Sequence, residues 1–251
     1  MNWSDEGVVL SVKSHGETAA IAELLTRAHG RHFGLVHGGQ GRKLRPVLQV
    51  GNHVDVTWKG RLEENLGFFT VELRKGYAAA AMPDAAALSG LTSKCALSRL
   101  LPERDPHPGH FEITLFVLGY LDDIQVWPAL YVRWELSLLR ELGFGLDLTS
   151  CAATGATDNL IWVSPKSGRA VSAGAGEPYQ DRLLRLPAFL TGTYRETVTR
   201  RDVLDGLALT GTFLKSRVLD PGGLTMPEGR QRLVTTLSRQ SGASAEHPRE
   251  G

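Results

Sequence analysis

The sequence predicts an α+β protein in which a small β-barrel precedes an α-helical domain. Three observations support this fold class. Short, strand-like apolar segments fill the first 76 residues, helical periodicity replaces them near Ala78, and a loop-rich insert interrupts the helices at about residues 147–176. The chain has 251 residues, of which 42% are hydrophobic and 22% charged, so it has the composition of a globular protein with a sizeable core.

About five short strands are predicted before Ala78, a number typical of a small barrel. In one of them Val54, Val56 and Trp58 share a face. The segment from Glu17 to Ala28 is ambiguous, because its apolar residues fit a helix as well as a buried strand. The other predicted strands cover residues 7–12, 31–36, 52–58 and 66–73.

The helical domain is predicted from residue 81 to residue 240, after a barrel domain of residues 1–80. Asp84 suits the N-cap of a helix that extends to about Leu101, and Pro128 suits the first position of another. Gly143 can supply a left-handed cap. Further helices are expected at about His110–Leu121, Tyr179–Leu190, Thr199–Leu214 and Pro227–Arg239. Residues 241–251 have few apolar side chains and are expected to form a disordered tail.

Positive charge is concentrated between Arg27 and Arg61, where seven Lys or Arg accompany one acid, a local excess of +6 in a chain of net charge +1. A solvated loop accounts for such a run as well as a nucleic-acid surface does. Under the second interpretation, the phosphate contacts come from a glycine-rich loop and a later turn. The principal candidates are Arg42, Lys43, Arg45, Lys59 and Arg61, with Arg31 and His37 as second choices.

The sequence contains no Walker A loop, no dinucleotide-binding fingerprint, no His-Glu-x-x-His and no Gly-x-Ser-x-Gly. The glycines at 38, 39 and 41 do not form a Walker A loop, because position 36 is valine and Arg42 follows Gly41. They serve either a loop that approaches a phosphate or a simple turn. Asp122 and Asp123 are interpreted as a helix end, although a nuclease or hydrolase that uses scattered acids is a rival hypothesis. We therefore expect no enzyme activity, no cofactor and no small-molecule substrate.

Cysteine usage and hydropathy predict a cytoplasmic protein. Cys95 and Cys151 lie far apart in sequence, which indicates a reduced compartment and no disulfide framework. The N-terminal residues show no signal peptide, and no apolar run reaches the length of a membrane span. Cys95 is predicted to be a core thiol.

The insert has the ligand spacing of a zinc ribbon with most of the ligands replaced. Cys151 and Thr154 stand where one Cys-x-x-Cys pair belongs, and Ser172 and Ala175 stand where the second belongs. One thiolate cannot hold zinc, so no metal is predicted. Packing around Trp162 and Val163 is expected to hold the insert together.

Several segments, taken in order, resemble the RecO family of bacterial DNA repair and recombination mediators over about residues 5–220. In the barrel they are Gly7-Val8-Val9-Leu10, His15-Gly16-Glu17, Leu24-Leu25-Thr26, Gly30 and Gly38-Gly39-Gln40-Gly41-Arg42. In the helical region they are residues 134–143, Gly145-Leu146-Asp147-Leu148, Cys151, Leu214, Ser216-Arg217 and Leu219.

The resemblance implies an N-terminal OB-fold, in which the segment from Glu17 to Ala28 is a strand, and a helical domain with a zinc-ribbon-like insert. It implies binding to single- and double-stranded DNA, strand annealing, and loading of RecA onto strands coated by single-strand-binding protein. It also implies partnership with RecR and association with the nucleoid. Whether Trp58, Phe68 or Phe69 stacks on bases or packs in the core stays open. A protein–protein adaptor with incidental DNA contact is the alternative function.

Overall fold

The computed structural model describes residues 1–62, 65–192 and 197–243 and confirms the α+β class. The chain divides into two compact units. Met1–Ile124 and Pro227–Arg230 form the first, and Gln125–Met226 with the chain from Gln231 onward forms the second. No helix in the described ranges combines the length and the hydropathy needed to cross a membrane.

The N-terminal strands form a closed, OB-like barrel in the order β1-β2-β3-β5-β4. Adjacent strands are antiparallel except β3 and β5, which run parallel and meet where Leu35 pairs with Phe68. The ambiguous segment is strand β2, as the family resemblance implied, and it pairs along its length with β1 and β3. The strands are β1 Asn2–His15, β2 Ala19–Thr26, β3 Gly30–Val36, β4 His53–Lys59 and β5 Phe68–Lys75.

Alternate side chains of the strands fill the barrel interior, as period-two patterning predicts. Trp58 is fully buried, and its indole Nε1 donates to the backbone oxygen of Leu66 at 3.1 Å. Phe69 is also in the core, whereas the preceding Phe68 points outward and is 49% exposed. Of the three aromatic residues considered for base stacking, only Phe68 is therefore accessible.

Three helices complete the first unit: α1 Tyr77–Ala81, α2 Ala85–Ser98 and α3 Pro108–Leu118. Asp84 is the N-cap of α2, as predicted, and its carboxylate accepts the backbone N–H of Ala87 at 2.7 Å. Cys95 lies buried on α2, and burial raises the pKa of its thiol to about 12. Cys95 is thus a core thiol, as expected.

The chain after α2 covers one end of β3. The backbone N–H of Arg104 donates to the oxygen of Arg31 at 2.9 Å, and Arg31 forms an isolated parallel bridge with Glu103. Gly30 adopts a φ of 66° here, and a Cβ at this position would lie 2.3 Å from the backbone oxygen of Asp105. Glycine is therefore required where the two segments meet.

The second unit combines helices with a small antiparallel sheet of order β7-β6-β8. Helix α4 begins at Trp127, one residue before the predicted start, and Gly143 follows it with a φ of 84°. A capping box between Thr199 and Asp202 starts α6. The regular elements are α4 Trp127–Glu141, β6 Leu160–Val163, β7 Ala170–Ser172, α5 Ala173–Gly176, β8 Leu184–Arg185 and α6 Arg200–Phe213, with 3-10 turns at Glu177–Arg182 and Ala188–Leu190 and a π-helical segment at Leu214–Leu219. Helix α7 spans Glu228–Ala243, and its residues from Gln231 onward belong to this unit.

The helix predicted at Tyr179–Leu190 is wrong. Strand β8 occupies Leu184–Arg185 and pairs with β6, and the guanidinium of Arg185 lies 4.1 Å from the centroid of the Trp162 ring. Pro187 lacks the N–H that a continuing helix needs. Tertiary pairing therefore overrides a helical periodicity that the proline had already weakened.

The C-terminal helix is longer than predicted. Helix α7 extends to Ala243, so residues 241–243 are helical rather than part of a disordered tail. The rest of that predicted tail, residues 244–251, lies outside the described residues.

Candidate nucleic-acid interface

The glycine-rich loop between β3 and β4 contains an ordered helical turn. The backbone N–H of Arg45 donates to the oxygen of Gly41 at 2.9 Å, and that of Leu48 donates to Leu44 at 2.9 Å. The side-chain amide of Asn52 then donates to the oxygens of Pro46 and Val47 at 2.9 and 3.2 Å. We call residues 37–52 the basic loop.

The basic loop is fixed to the hairpin between β1 and β2. The side-chain amide of Gln40 donates to the oxygens of Gly16 and Ala19 at 3.1 and 2.7 Å. Its backbone N–H donates to the oxygen of Thr18 at 3.0 Å. These bonds and those of Asn52 fix the backbone of the loop, so the positions from which its side chains project are set before any ligand binds.

The turn separates apolar from basic side chains. Leu44 and Val47 pack against the barrel core, as helical spacing requires, while Arg42, Lys43 and Arg45 are exposed. Within the described residues, none of these three cations forms an ion pair. The structure therefore brings together three of the sequence-predicted residues, with their charges directed to solvent.

A groove with a volume of about 510 Å³ runs between the basic loop and β5. Its lining combines the cation of Lys43 with two stacked rings, His37 and Phe68, whose centroids are 5.0 Å apart at an interplanar angle of 17°. A smaller groove of about 300 Å³ lies on the other side of the loop and is lined in part by Arg45 and Gln40.

Lys59 joins this surface through the register of the barrel. It pairs with Phe68 across β4 and β5, so the two exposed side chains are on the same outer face. Arg61 is exposed in the following turn. Glu63 and Glu64 come next in the sequence, and they lie outside the described residues.

Arg31 does not belong to this exposed group. Its side chain is only 14% exposed, and its guanidinium donates to Glu23 at 2.5 Å and to the backbone oxygen of Leu101 at 2.8 Å. The Glu23 carboxylate is fully buried and also accepts from Arg99 and Ser11, each at 2.7 Å. Arg31 is therefore committed to an internal ion-pair network.

The outer face of β4 and β5 changes sign along its length. Asp55 and Glu72 form the cross-strand pair two positions beyond the Thr57–Thr70 pair, and both acids are exposed. Arg74 contacts the carboxylates of Asp55, at 3.3 Å, and Glu6. An anionic ligand is therefore favoured at the Lys59 end of this face and disfavoured at the Glu72 end.

The residues of the insert do not fit a zinc ion. Cys151 is the one thiol among the four positions, and the other three carry two hydroxyls and a methyl group. A hydrogen bond from the backbone N–H of Ser172 to the Cys151 sulfur, at 3.2 Å, spans the gap instead. Trp162 and Val163 are buried, as expected.

The environment of the Cys151 thiol stabilises its thiolate form. Burial by itself raises the pKa, but hydrogen bonds from Ser172, Thr154 and Ala153 outweigh it and lower the pKa to about 6. Elsewhere in the described ranges, no three His, Cys, Asp or Glu side chains are grouped so that they could hold a metal ion.

Comparisons with known proteins agree with this architecture over almost the whole chain. The family model described as Recombination protein O N terminal matches residues 1–77, and the one described as Recombination protein O C terminal matches residues 82–222. The DNA repair protein RecO of Methylobacterium nodulans is 51% identical over 246 residues, covering 96% of this chain and 100% of the relative.

Two further relatives carry the same description. The DNA repair protein RecO of Rhodospirillum centenum is 52% identical and covers 93% of this chain and 94% of its own length. That of Bradyrhizobium diazoefficiens is 50% identical and covers 98% of each chain. The OB-like barrel and helical region therefore define a protein of DNA repair and recombination. The chain belongs to the RecO family.

The sequence named His37 and Phe68 separately, as a phosphate contact and as a candidate for base stacking, but it did not predict that their two rings stack on each other. The outward direction of Phe68 could have been predicted from strand alternation, because Phe69 and Val71 point inward. The contact with His37 depends on the parallel closure of β3 and β5, which sequence periodicity does not encode.

Proposed function

We propose that this protein binds single- and double-stranded DNA through the basic loop, anneals complementary strands, and helps to load RecA onto strands coated by single-strand-binding protein. The observation that carries this proposal is the ordered turn that directs Arg42, Lys43 and Arg45 to solvent, with no acidic partner among the described residues. Lys59, Arg61 and His37 extend this surface, whereas Arg31 stabilises the fold.

No covalent step is needed for this function. Two DNA strands repel one another through their phosphates, and cations that contact both strands lower that repulsion and raise their local concentration. Each phosphate contact releases bound counterions, so affinity falls steeply with salt. About six contacts give a log–log slope near −5 on duplex DNA.

The proposed DNA binding is assigned to the N-terminal domain. We assign DNA binding to residues 1–80, and we propose RecR and single-strand-binding protein as partners of the protein. This assignment implies a cytoplasmic protein that associates with the nucleoid.

Annealing of complementary strands, with and without single-strand-binding protein, tests the proposal. The variant R42A/K43A/R45A should anneal more slowly than the wild type under both conditions. The matched control is R169A/R201A/K215A, because those cations already pair with Asp147, Asp205 and Asp220 at 3.2, 3.1 and 2.7 Å. Both variants lower the formal net charge from +1 to −2.

The rival functions give different results. A protein–protein adaptor would show little DNA affinity at physiological salt, and its annealing would be the same in both variants. A nuclease would degrade DNA during incubation with magnesium or manganese, and Asp122→Asn together with Asp123→Asn would stop it. Three results together support the proposed function. The DNA stays intact, the wild-type protein binds it at physiological salt, and annealing is slowed by R42A/K43A/R45A but not by the control variant.

A further inference from the structure

The half-exposed ring of Phe68 stands at the mouth of the groove beside the basic loop. It is 49% exposed even though its backbone closes the barrel by pairing with Leu35. One neighbour of the ring is His37, stacked at 5.0 Å. A large aromatic side chain at the edge of an apolar groove, left half in water, marks a surface that a ligand can cover.

The groove has an apolar floor and a cationic rim. Lys43 lines it on the side of the basic loop, and Lys59 lies across the strands from Phe68. Its volume of about 510 Å³ falls within the range of ordinary small-ligand clefts. Besides Phe68, the apolar side chains of its lining are Val36, Leu44, Val47, Phe69, Val71 and Leu73.

We propose that this groove holds unpaired bases of single-stranded DNA, with the His37–Phe68 stack as the platform for a base. Lys43 and Lys59 then neutralise the phosphates on either side. The exposed carboxylate of Glu72, which lines the groove farther along β5, repels phosphate, so the backbone of the strand lies toward the Lys43 end.

This inference rests on the proposed function and deepens it, because it gives one part of the interface a preference for single strands. A duplex offers the same phosphates to Arg42 and Arg45, but its bases are paired and stacked on one another. Only an unpaired base has a ring face free to cover Phe68. Base–aromatic stacking also tolerates any sequence, as annealing of arbitrary strands requires.

Abasic DNA separates base contacts from phosphate contacts. The probes are a fluorescent oligothymidylate of about 20 nucleotides and an abasic strand of the same length and charge, which exceed the site size of one OB-fold. Wild-type protein should bind the thymidylate roughly fivefold to 150-fold more tightly, the range that one stacked base supplies. Phe68→Ala should reduce that ratio toward one, and Phe68→Trp should restore it.

Phe116→Ala is the matched control. Phe116 is 53% exposed on α3, and its ring lies against that of Tyr120 with centroids 5.0 Å apart and planes tilted by 54°. It therefore resembles Phe68 in exposure and in having a ring neighbour, but it is not part of the groove. Its loss should leave the ratio unchanged. Circular dichroism verifies that each variant is folded.

The outcomes distinguish this inference from the proposed function. If the wild type binds both probes equally, or if Phe68→Ala keeps the wild-type ratio, the base assignment is overturned while DNA binding stands. The second result would point to another occupant of the groove, such as an extended peptide that pairs with β5. If neither probe binds even at low salt, the proposed function itself is contradicted.

Discussion

The buried carboxylate of Glu23 gives the sharpest stability prediction. It accepts from Arg31 at 2.5 Å and from Arg99 and Ser11 at 2.7 Å. Glu23→Gln keeps the shape but removes the charge, so the guanidinium of Arg31, only 14% exposed, loses its buried counter-charge and keeps only the half-exposed carboxylate of Glu103, at 3.6 Å. Breaking a buried pair in this way costs about 3 kcal/mol.

Arg99→Ala is the internal control for Glu23→Gln. The Arg99 side chain is 43% exposed, so solvent already screens its ion pair and the loss is about 1 kcal/mol or less. Hydrogen exchange of peptides from β2 and β3 reports the stability of the barrel alone, whereas a melting curve of the whole chain combines both units. Glu23→Gln should accelerate exchange roughly 150-fold, since 1.4 kcal/mol is a factor of ten. If it accelerates exchange no more than Arg99→Ala does, Arg31 is not held by this network and its exclusion from the DNA surface fails.

Three further predictions concern single positions. Burial lowers the pKa of Lys94 well below 10.5, so the unfolded protein binds more protons at this side chain than the folded protein does. The free energy of unfolding of the wild type should therefore rise with pH from neutral toward 10.5. Lys94→Met should flatten that rise, as measured by urea titrations at several pH values. Thiolate absorbance should titrate near pH 6 and vanish in Cys151→Ala, because the pKa of Cys95 is about 12; a titration only above pH 8 would refute the hydrogen-bonded thiolate. Gly30→Ala should destabilise by roughly 2 kcal/mol or more, since its Cβ would meet backbone. Gly16→Ala, also at positive φ but in open space, should cost about 1 kcal/mol, and equal losses would contradict the close contact at Gly30.

Local sequence signals predicted the elements whose determinants are themselves local. Asp84 caps α2 through a neighbour three residues away, and Val54, Val56 and Trp58 are all buried as their alternation requires. In the basic loop the exposure of Arg42 agrees with the sequence prediction, whereas the helical turn that places Leu44 against the core was not predicted.

Long-range pairing determined what the sequence could not predict. The segment at Leu184–Arg185 becomes a strand because it pairs with β6, about 22 residues earlier in the chain. Arg31 is internal because its guanidinium meets Glu23 on the adjacent strand and the backbone of Leu101, 70 residues away in sequence. The stack of His37 on Phe68 likewise requires the closed barrel. Charge counting alone ranks buried and exposed cations equally.

The salt dependence of single-stranded DNA binding tests the central claim most directly. Each phosphate contact contributes about 0.7 to the log–log slope on a single strand, so loss of the three loop cations should flatten the slope by about 2. We predict this change for R42A/K43A/R45A and an unaltered slope for the charge-matched R169A/R201A/K215A. Equal slopes in the wild type and both variants would contradict the assignment of phosphate binding to the basic loop.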